Sequence, residues 1–389
     1  MTKTLNVAMI GGGFMGKAHA MAYAAMPMFF WPAPAIPIRK LLVDVNAEMA
    51  ADGAKRYGFE SSSADWKSAV TRDDIDIVDI VTPNDSHADI AIAALAAGKH
   101  VICEKPLART GPEAKKMLDA AEKSGKIHMV AFNYRRTPAV ALAKKYITEG
   151  RLGKILNFRG TYLQDWSADP DGPLSWRFQK SVAGSGAIGD IGTHVIDFAR
   201  YLVGEIASVN AIVQNYVPTR PIQSDGLDKL GAADADSSAP RGEVDVDDEM
   251  ITMVKFENGA VGTIEATRNA YGRNNFLTFE IHGTEGSILF NYERLDELQV
   301  MFANDPADAR GFRTVYTGPA HPYGDALWPI PALGTGYGET KIIECHDFLS
   351  AIMSGEQPSP NFQDGYQVSV IADAIIESGK TERWVQIGK

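Results

Sequence analysis

Leu5-Asn6-Val7-Ala8-Met9-Ile10-Gly11-Gly12-Gly13-Phe14-Met15-Gly16-Lys17-Ala18-His19-Ala20 is the stretch that decides the fold. It reads as an apolar strand over Leu5–Ile10, a glycine turn, and an Ala-rich helix over Gly16–Ala25. The turn fits G-x-G-x-x-G in the context that gives the pattern meaning, after a strand and opening a helix. Gly11 permits the tight turn, Gly13 lets backbone approach a pyrophosphate, and Gly16 allows helix to pack closely on strand. Unpaired amides and the helix dipole favour phosphate at the helix start. Gly11, Gly13, Phe14, Met15 and Gly16 are therefore candidate cofactor-binding residues. The alternative is a plain glycine-rich turn.

Outward from this turn, apolar strands alternate with helices. Strands are expected over Ile38–Asp44, Ile75–Val81, His100–Cys103 and Ile127–Phe132, with helices over Ala47–Tyr57 and Ser86–Ala97. A further helix opens at Thr110-Gly111-Pro112-Glu113, a capping box in which the Thr hydroxyl takes the Glu amide and the Glu carboxylate reaches back. This alternation implies a parallel sheet with right-handed crossovers. The prolines of Met26–Ile38 argue against a helix there. Asp44 ends the second strand, where a carboxylate binds the adenosine ribose and repels a 2′-phosphate, which favours NAD over NADP. It lies further from the glycines than usual because of the Pro27–Pro37 insert, and Arg39 and Lys40 are discounted as 2′-phosphate ligands because they lie inside the strand. Thr82 and Asn84 follow the third strand at the edge where such sheets bind ligands. His87 either lines the cofactor with them or is an ordinary residue at a helix start.

The pattern changes near Asn133. Helices are expected over Thr137–Glu149 and Gly189–Val203 and strands over Lys154–Gln164, Ala207–Tyr216, Met250–Phe256, Ala260–Thr267, Leu277–His282 and Ser287–Asn291. Asn258-Gly259 is a hairpin signal, since both residue types accept positive φ. Helices return at Glu339–Met353 and Gln367–Ser378. The expectation is an α/β Rossmann domain over residues 1–132, then an α+β domain over 133–389 with a large open, mainly antiparallel sheet. Pro218–Val246 is polar and aperiodic, too long for an ordinary connection, and reads as a mobile loop or an excursion toward another subunit.

The 389 residues carry a net charge of −11, which argues against a nucleic-acid surface. No apolar run reaches membrane-span length and no signal-peptide pattern opens the chain, so a cytoplasmic protein is expected. Cys103 and Cys345 show no metal spacing. Asp245, Asp247, Asp248 and Glu249 lack the glycine and spacing of a calcium loop and read as a solvated strand entry, so no metal is expected.

Two constellations carry the chemistry. Glu104-Lys105-Pro106 follows the fourth strand, where the Lys105 ammonium is placed to stabilise a developing alkoxide and Glu104 to meet the cofactor ribose or Lys105. Asp190 and His194 stand four apart on a helix and share a face. An imidazole titrates near neutrality and suits removal of an alcohol proton, with the carboxylate orienting it or the substrate. A surface Glu-Lys pair, and a capping Asp with a core His, are the structural alternatives.

The Gly11–Gly16, Glu104-Lys105-Pro106 and Gly189-Asp190…His194 motifs together resemble those of the Gfo/Idh/MocA oxidoreductase family, and the resemblance covers essentially the whole chain. It implies bound NAD(P), oxidation of a secondary hydroxyl on a sugar or cyclitol, Lys105, Asp190 and His194 as the catalytic set with His194 the proton acceptor, and a homotetramer or dimer through the open sheet. Within the family, Met26–Pro34, Phe132–Pro138, Thr161–Ser167, Leu174–Lys180 and Leu327–Ala332 are similar to members that oxidise levoglucosan (1,6-anhydro-β-D-glucose) at C3 with NAD. Tyr134, Gln164, Asp165, Trp176, Arg177 and Thr193 are candidate pocket residues beside Lys105, Asp190 and His194. Aromatic rings suit the C–H face of a sugar, and Gln and Asp accept its hydroxyls. Rival expectations are a dehydrogenase of myo-inositol or another polyol, an NAD-using glycosidase, and a non-catalytic NAD-binding protein.

Overall fold

The computed structural model describes residues 2–222 and 238–388. It divides the chain into two compact units, Met1–Arg136 with Tyr323–Gln367, and Thr137–Pro322 with Val368–Lys389. The first unit opens with β1 (Thr4–Ile10), α1 (Phe14–Phe29), β2 (Ile36–Val43), α2 (Ala47–Tyr57), β3 (Ser61–Ser63) and α3 (Trp66–Val70). It continues with β4 (Ile77–Ile80), α4 (His87–Ala96), β5 (His100–Cys103), α5 (Gly111–Ser124) and β6 (His128–Val130). All six strands run parallel in the order β3-β2-β1-β4-β5-β6. The order reverses between β1 and β4, and ligands bind such sheets at the carboxyl ends of the strands flanking that point. β4 is buried at all four positions, as a strand covered on both faces must be. β3 and α3 went unread because Ser61–Ser63 carries no apolar pattern.

Two local expectations change. α1 runs through Pro27 to Phe29. That proline forfeits only the bond to the Tyr23 carbonyl, while Tyr23 and Met26 are buried in one core with Ile342, Phe348 and Leu349. At α5, Thr110 accepts from the Glu113 amide (3.4 Å), but the Glu113 carboxylate bonds the Arg109 amide (2.9 Å) and guanidinium (2.7 Å) rather than the Thr110 amide.

The second unit holds α6 (Pro138–Thr148), β7 (Ile155–Leu163), α7 (Lys180–Ala183), a π turn at Ile188–Gly192, α8 (Thr193–Leu202) and β8 (Ile206–Gln214). Then come β9 (Thr219–Pro221), β10 (Arg241–Glu243), β11 (Glu249–Phe256), β12 (Val261–Thr267), β13 (Phe276–Gly283), β14 (Gly286–Asn291), β15 (Glu297–Phe302) and β16 (Arg313–Tyr316). The chain returns to the first unit with α9 (Gly324–Leu327) and α10 (Tyr337–Ser354), and ends with α11 (Phe362–Thr381) and β17 (Val385–Gln386). Nine strands pair as β16-β15-β14-β13-β7-β12-β11-β8-β17, antiparallel except where β7 meets β12. One face buries Phe158, Tyr162, Phe279 and Phe290, with Phe198 of α8 edge-on to Phe279 at 5.5 Å. The other face leaves Ile212, Ile251, Met253 and Val261 exposed. Gly259 alone turns the β11–β12 hairpin at positive φ (+87°), while the Asn258 side chain bonds the Ala260 amide and the Val203 carbonyl.

The expected division at 132/133 is corrected: Asn133–Arg136 and Tyr323–Gln367 belong to the first unit. Ile342, Cys345, Phe348 and Leu349 of α10 fill a core shared with Leu5, Ile102 and Met129. An amphipathic pattern shows that a helix is buried, not which core it fills. Within Pro218–Val246, β9 pairs antiparallel with β10, so its ends are regular, and residues 223–237 lie outside the described residues. Among the described residues no helix is long and apolar enough to cross a membrane.

Candidate active site

The glycine turn is shaped by what a side chain would strike. A Cβ on Gly11, at φ +109°, would lie 2.7 Å from the Val81 carbonyl oxygen, and one on Gly16 would lie 2.5 Å from that of Gly11. A Cβ on Gly13 would meet nothing within 4 Å. Gly13 is the N-cap of α1, whose first turn has no side-chain cap and no acidic residue. Its leading amides and positive dipole end are thus a cradle for phosphate. Asp44 follows β2 directly, taking the Gly12 amide on Oδ2 (2.8 Å) and the Val45 amide on Oδ1 (2.7 Å). The residues present fit a dinucleotide. Phe14 is 61% exposed and stacks on Tyr337 (6.1 Å), which meets Tyr134 edge-on (6.2 Å). Tyr134, expected in the second domain, thus stands in the first unit.

Beyond β4, Thr82 is half-buried and accepts from the Ser86 hydroxyl (2.6 Å), and Asn84 is buried beside it. His87 meets main chain at both ring nitrogens. It is fully buried, with Nδ1 3.0 Å from the Pro106 carbonyl and Nε2 2.9 Å from the Thr82 carbonyl, so it ties two strand-end loops together. Burial pushes its pKa down, against the pull of those carbonyls. Lys105 is half-buried just past β5.

Of the two courses expected of Glu104, the structure shows the one toward Lys105, through its main chain. Glu104 is buried, and its carboxylate is engaged at both oxygens: Oε1 by Lys341 Nζ (2.7 Å) and His19 Nε2 (3.0 Å), Oε2 by the Lys105 amide (3.0 Å). It therefore anchors the strand end. Burial alone would raise the carboxyl pKa; Lys341 and His19 overcome that and hold it well below the usual range. The surrounding groups, His19, Asp79, Lys341 and Glu344, are contributed by α1, β4 and α10 and were not singled out in the sequence.

In the second unit, Asp190 lies in the π turn and His194 in the first turn of α8, where a continuous α-helix was expected. π turns recur at functional sites. This one is held by Asp247, which is buried and accepts the Gly186 and Ile188 amides at 2.7 Å each. Burial raises the Asp247 pKa, opposed by those amides. Asp248 is fully buried and takes the Tyr216 (2.7 Å) and Val217 (2.9 Å) amides. Asp247 and Asp248 are thus backbone anchors rather than a solvated strand entry, while Asp245 is exposed and Glu249 accepts from the Tyr216 hydroxyl. Arg268, fully buried, reaches Asp190 Oδ2 (3.4 Å) and the Asp247 carbonyl (3.3 Å).

His194 is 4% exposed, and the Tyr162 ring lies 6.0 Å away. Tyr162 donates to Asn275 Oδ1 (2.6 Å), which also takes the Gln164 amide (2.8 Å), while Gln164 Oε1 accepts from Trp166 Nε1 (3.0 Å). Tyr162 and Asn275 were missed; alternation along β7 places Tyr162 on the buried face but does not mark it as neighbouring His194. Asp165 accepts the Gly272 amide (3.1 Å), and Arg177 lies over the Trp176 ring (4.4 Å). Thr193 is buried and donates to the Gly189 carbonyl (2.9 Å), so its hydroxyl serves the helix.

A family model described as an oxidoreductase family with an NAD-binding Rossmann fold matches residues 5–132, and one described as the GFO/IDH/MocA C-terminal domain matches residues 140–289. The chain belongs to the Gfo/Idh/MocA oxidoreductase family. It is 68% identical over 385 residues to levoglucosan dehydrogenase of Pseudarthrobacter phenanthrenivorans, covering 99% of this chain and 98% of that one. A solved structure of levoglucosan dehydrogenase in complex with NADH and levoglucosan matches with a TM-score of 0.94 at 67% identity, covering 99% of this chain and 100% of that one. More distant family members include the scyllo-inositol 2-dehydrogenase (NAD(+)) of Bacillus subtilis, 28% identical over 363 residues, 92% of this chain and 89% of the relative. The first unit is accordingly the family's NAD-binding Rossmann domain and the chain an NAD-dependent oxidoreductase.

Proposed function

We propose that this oxidoreductase oxidises levoglucosan at its C3 hydroxyl to the 3-keto sugar, with NAD as acceptor. The observation that carries the reading is the 68% identity, sustained over 99% of the chain, to a levoglucosan dehydrogenase. The Gly11–Gly16 turn holds the pyrophosphate, and Asp44 the adenosine ribose, which disfavours NADP through charge repulsion. Bound NAD supplies the hydride acceptor at nicotinamide C4.

Lys105, Asp190 and His194 serve the reacting hydroxyl. His194 takes its proton, while Lys105 and Asp190 hold the oxygen, the ammonium stabilising negative charge as it develops. Arg268 steadies the Asp190 carboxylate for this task. Tyr134, Gln164, Asp165, Trp176 and Arg177 contact the sugar. The exposed Ile212, Ile251, Met253 and Val261 on one sheet face support a homotetramer or dimer, and two buried thiols, Cys103 and Cys345, suit a reducing cytoplasm.

Formation of NADH or NADPH across a panel of anhydrosugars, aldoses and inositols tests the reading. The highest kcat/KM is expected with levoglucosan and NAD. Turnover of myo-inositol without levoglucosan overturns the substrate assignment. Glycoside cleavage at constant NADH, or tight NAD binding without turnover of any polyol, overturns the reaction.

A further inference from the structure

The buried cluster around Glu104 is larger than its role as a strand-end anchor requires. His19 from α1, Asp79 from β4, Glu104 after β5, and Lys341 and Glu344 from α10 are each at most 4% exposed. Lys341 Nζ contacts Glu104 Oε1 (2.7 Å) and Glu344 Oε1 (2.9 Å). His19 bridges Glu104 (3.0 Å) and Asp79 (2.9 Å), and Tyr23 donates to Asp79 (2.8 Å). The other oxygen of Glu104, Oε2, accepts the Lys105 amide.

We propose that Lys341 and His19 are positioning residues for Lys105: by gripping the Glu104 carboxylate, they fix the main chain from which the Lys105 ammonium is presented. This rests on the role given to Lys105 above. A buried ionic cluster is a poor source of stability, since well-packed apolar groups of similar volume often do as well. Its physical merit is that it permits one geometry: moving the Glu104 carboxylate breaks two cationic contacts inside a dry core. The cluster also joins the helix that opens at the dinucleotide turn to the backbone beside Lys105, through one carboxylate. Burial and Lys341, whose Nζ lies 3.1 Å from His19 Nε2, lower the His19 pKa, but Asp79 and Glu104 together more than reverse this and raise it to about 9, while Glu104 stays well below the usual carboxylate range. Both are therefore ionised near neutral pH, and the grip is ionic.

The test is a double-mutant cycle on the full chain, with Lys105→Ala, Lys341→Met and their combination. kcat for levoglucosan (or the polyol the panel selects), the sugar Kd in the NADH complex, and the NADH Kd are measured for each. A misplacement near 1 Å costs on the order of a hundredfold, so Lys341→Met is expected to lower kcat by about ten- to a hundredfold. Its NADH Kd is expected to stay within about twofold. In the Lys105→Ala background the same substitution should change kcat and sugar Kd by less than about twofold, because the group it positions is gone. If the Lys105→Ala rate is too slow to measure, the sugar-binding cycle decides. Should Lys341→Met fail to fold, Lys341→Met with Glu344→Gln, which preserves the net charge of the cluster, takes its place in the cycle. Equal losses in both backgrounds, or unchanged kcat in Lys341→Met, overturn the proposal. Full turnover in Lys105→Ala overturns the assigned role of Lys105, and with it anything said to position it.

Discussion

Replacing Gly186 by alanine tests how firmly the backbone before Asp190 is set. The new Cβ would lie 1.7 Å from the Asp247 carbonyl oxygen and 2.7 Å from its carbonyl carbon, where real contacts stay beyond 3.0 Å. The backbones must therefore part by at least the difference, 1.3 Å. Neither can yield by a rotamer change, because Asp247 is held by the very segment it would repel, through the Gly186 and Ile188 amides. The displacement passes into the π turn that carries Asp190. A shift of about 1 Å at a reacting group costs roughly a hundredfold, and forced overpacking costs about 1–3 kcal/mol of stability. Gly186→Ala is thus expected to lower kcat about a hundredfold and to reduce the melting temperature, with NADH affinity unchanged because the dinucleotide turn belongs to the other unit. Gly189→Ala is the control. Its Cβ would meet the Ser185 hydroxyl at 2.6 Å, a group that Ser185→Ala removes, leaving the Ser185 Cβ at an ordinary 3.8 Å. Steady-state kinetics with NADH fluorescence titration decide. Wild-type kcat in Gly186→Ala, or equal losses in both glycine variants, would refute the view that the Asp247 backbone sets the place of Asp190.

Two further predictions follow from charge. Asp44→Ser removes both the acceptor for the Gly12 amide and the repulsion of a 2′-phosphate. About 1.4 kcal/mol lost with NAD, a tenfold rise in its KM, is expected, with the NADP-to-NAD ratio of kcat/KM rising at least as much. For pH, burial pushes the His128 pKa down from 6.5 to about 4. The unfolded chain therefore binds this proton first, so stability present above pH 6.5 is lost as the pH falls toward 4, by about 3 kcal/mol in all. Urea unfolding of the wild type and His128→Gln should converge in pH dependence above pH 6.5 and separate below it; parallel curves would remove His128 as the source. His19, raised to about 9, has the opposite sign, its contribution complete below pH 6.5 and fading as the pH climbs through 9.

The sequence was legible where a constraint is local. The turn at Gly11–Gly16, the alternation that builds the parallel sheet and the hairpin at Gly259 each depend on residues a few positions apart. It was not legible where the deciding partner is distant. The burial of Glu104 was hidden because its countercharge, Lys341, lies 237 residues on. Asp247 looked solvated because the amides it accepts lie about 60 residues earlier. α10 looked like part of the second domain because a burial pattern has no address. The same limit hid the π turn: Gly186 reads as an ordinary loop glycine until the Asp247 backbone is seen against it.

A common device links three carboxylates. Asp44 accepts the Gly12 amide inside the dinucleotide turn, Glu104 accepts the Lys105 amide, and Asp247 accepts two amides just ahead of Asp190. In each case a carboxylate bonds the main chain within four residues of a group assigned to cofactor or substrate. An ionised acceptor makes a stronger and more directional bond to an amide than a neutral one, and burial raises the penalty for leaving either partner unmatched. Such a bond therefore restricts the local backbone to one course. A dehydrogenase needs that restriction, because proton and hydride leave adjacent atoms of the sugar and both transfers fail with small errors of placement. On this argument Glu104 and Asp247 act mainly on the backbone. Replacing Asp247 by Asn, which keeps the shape and loses the charge, should then weaken turnover more than it weakens NADH binding, whereas a ligand role would move both together.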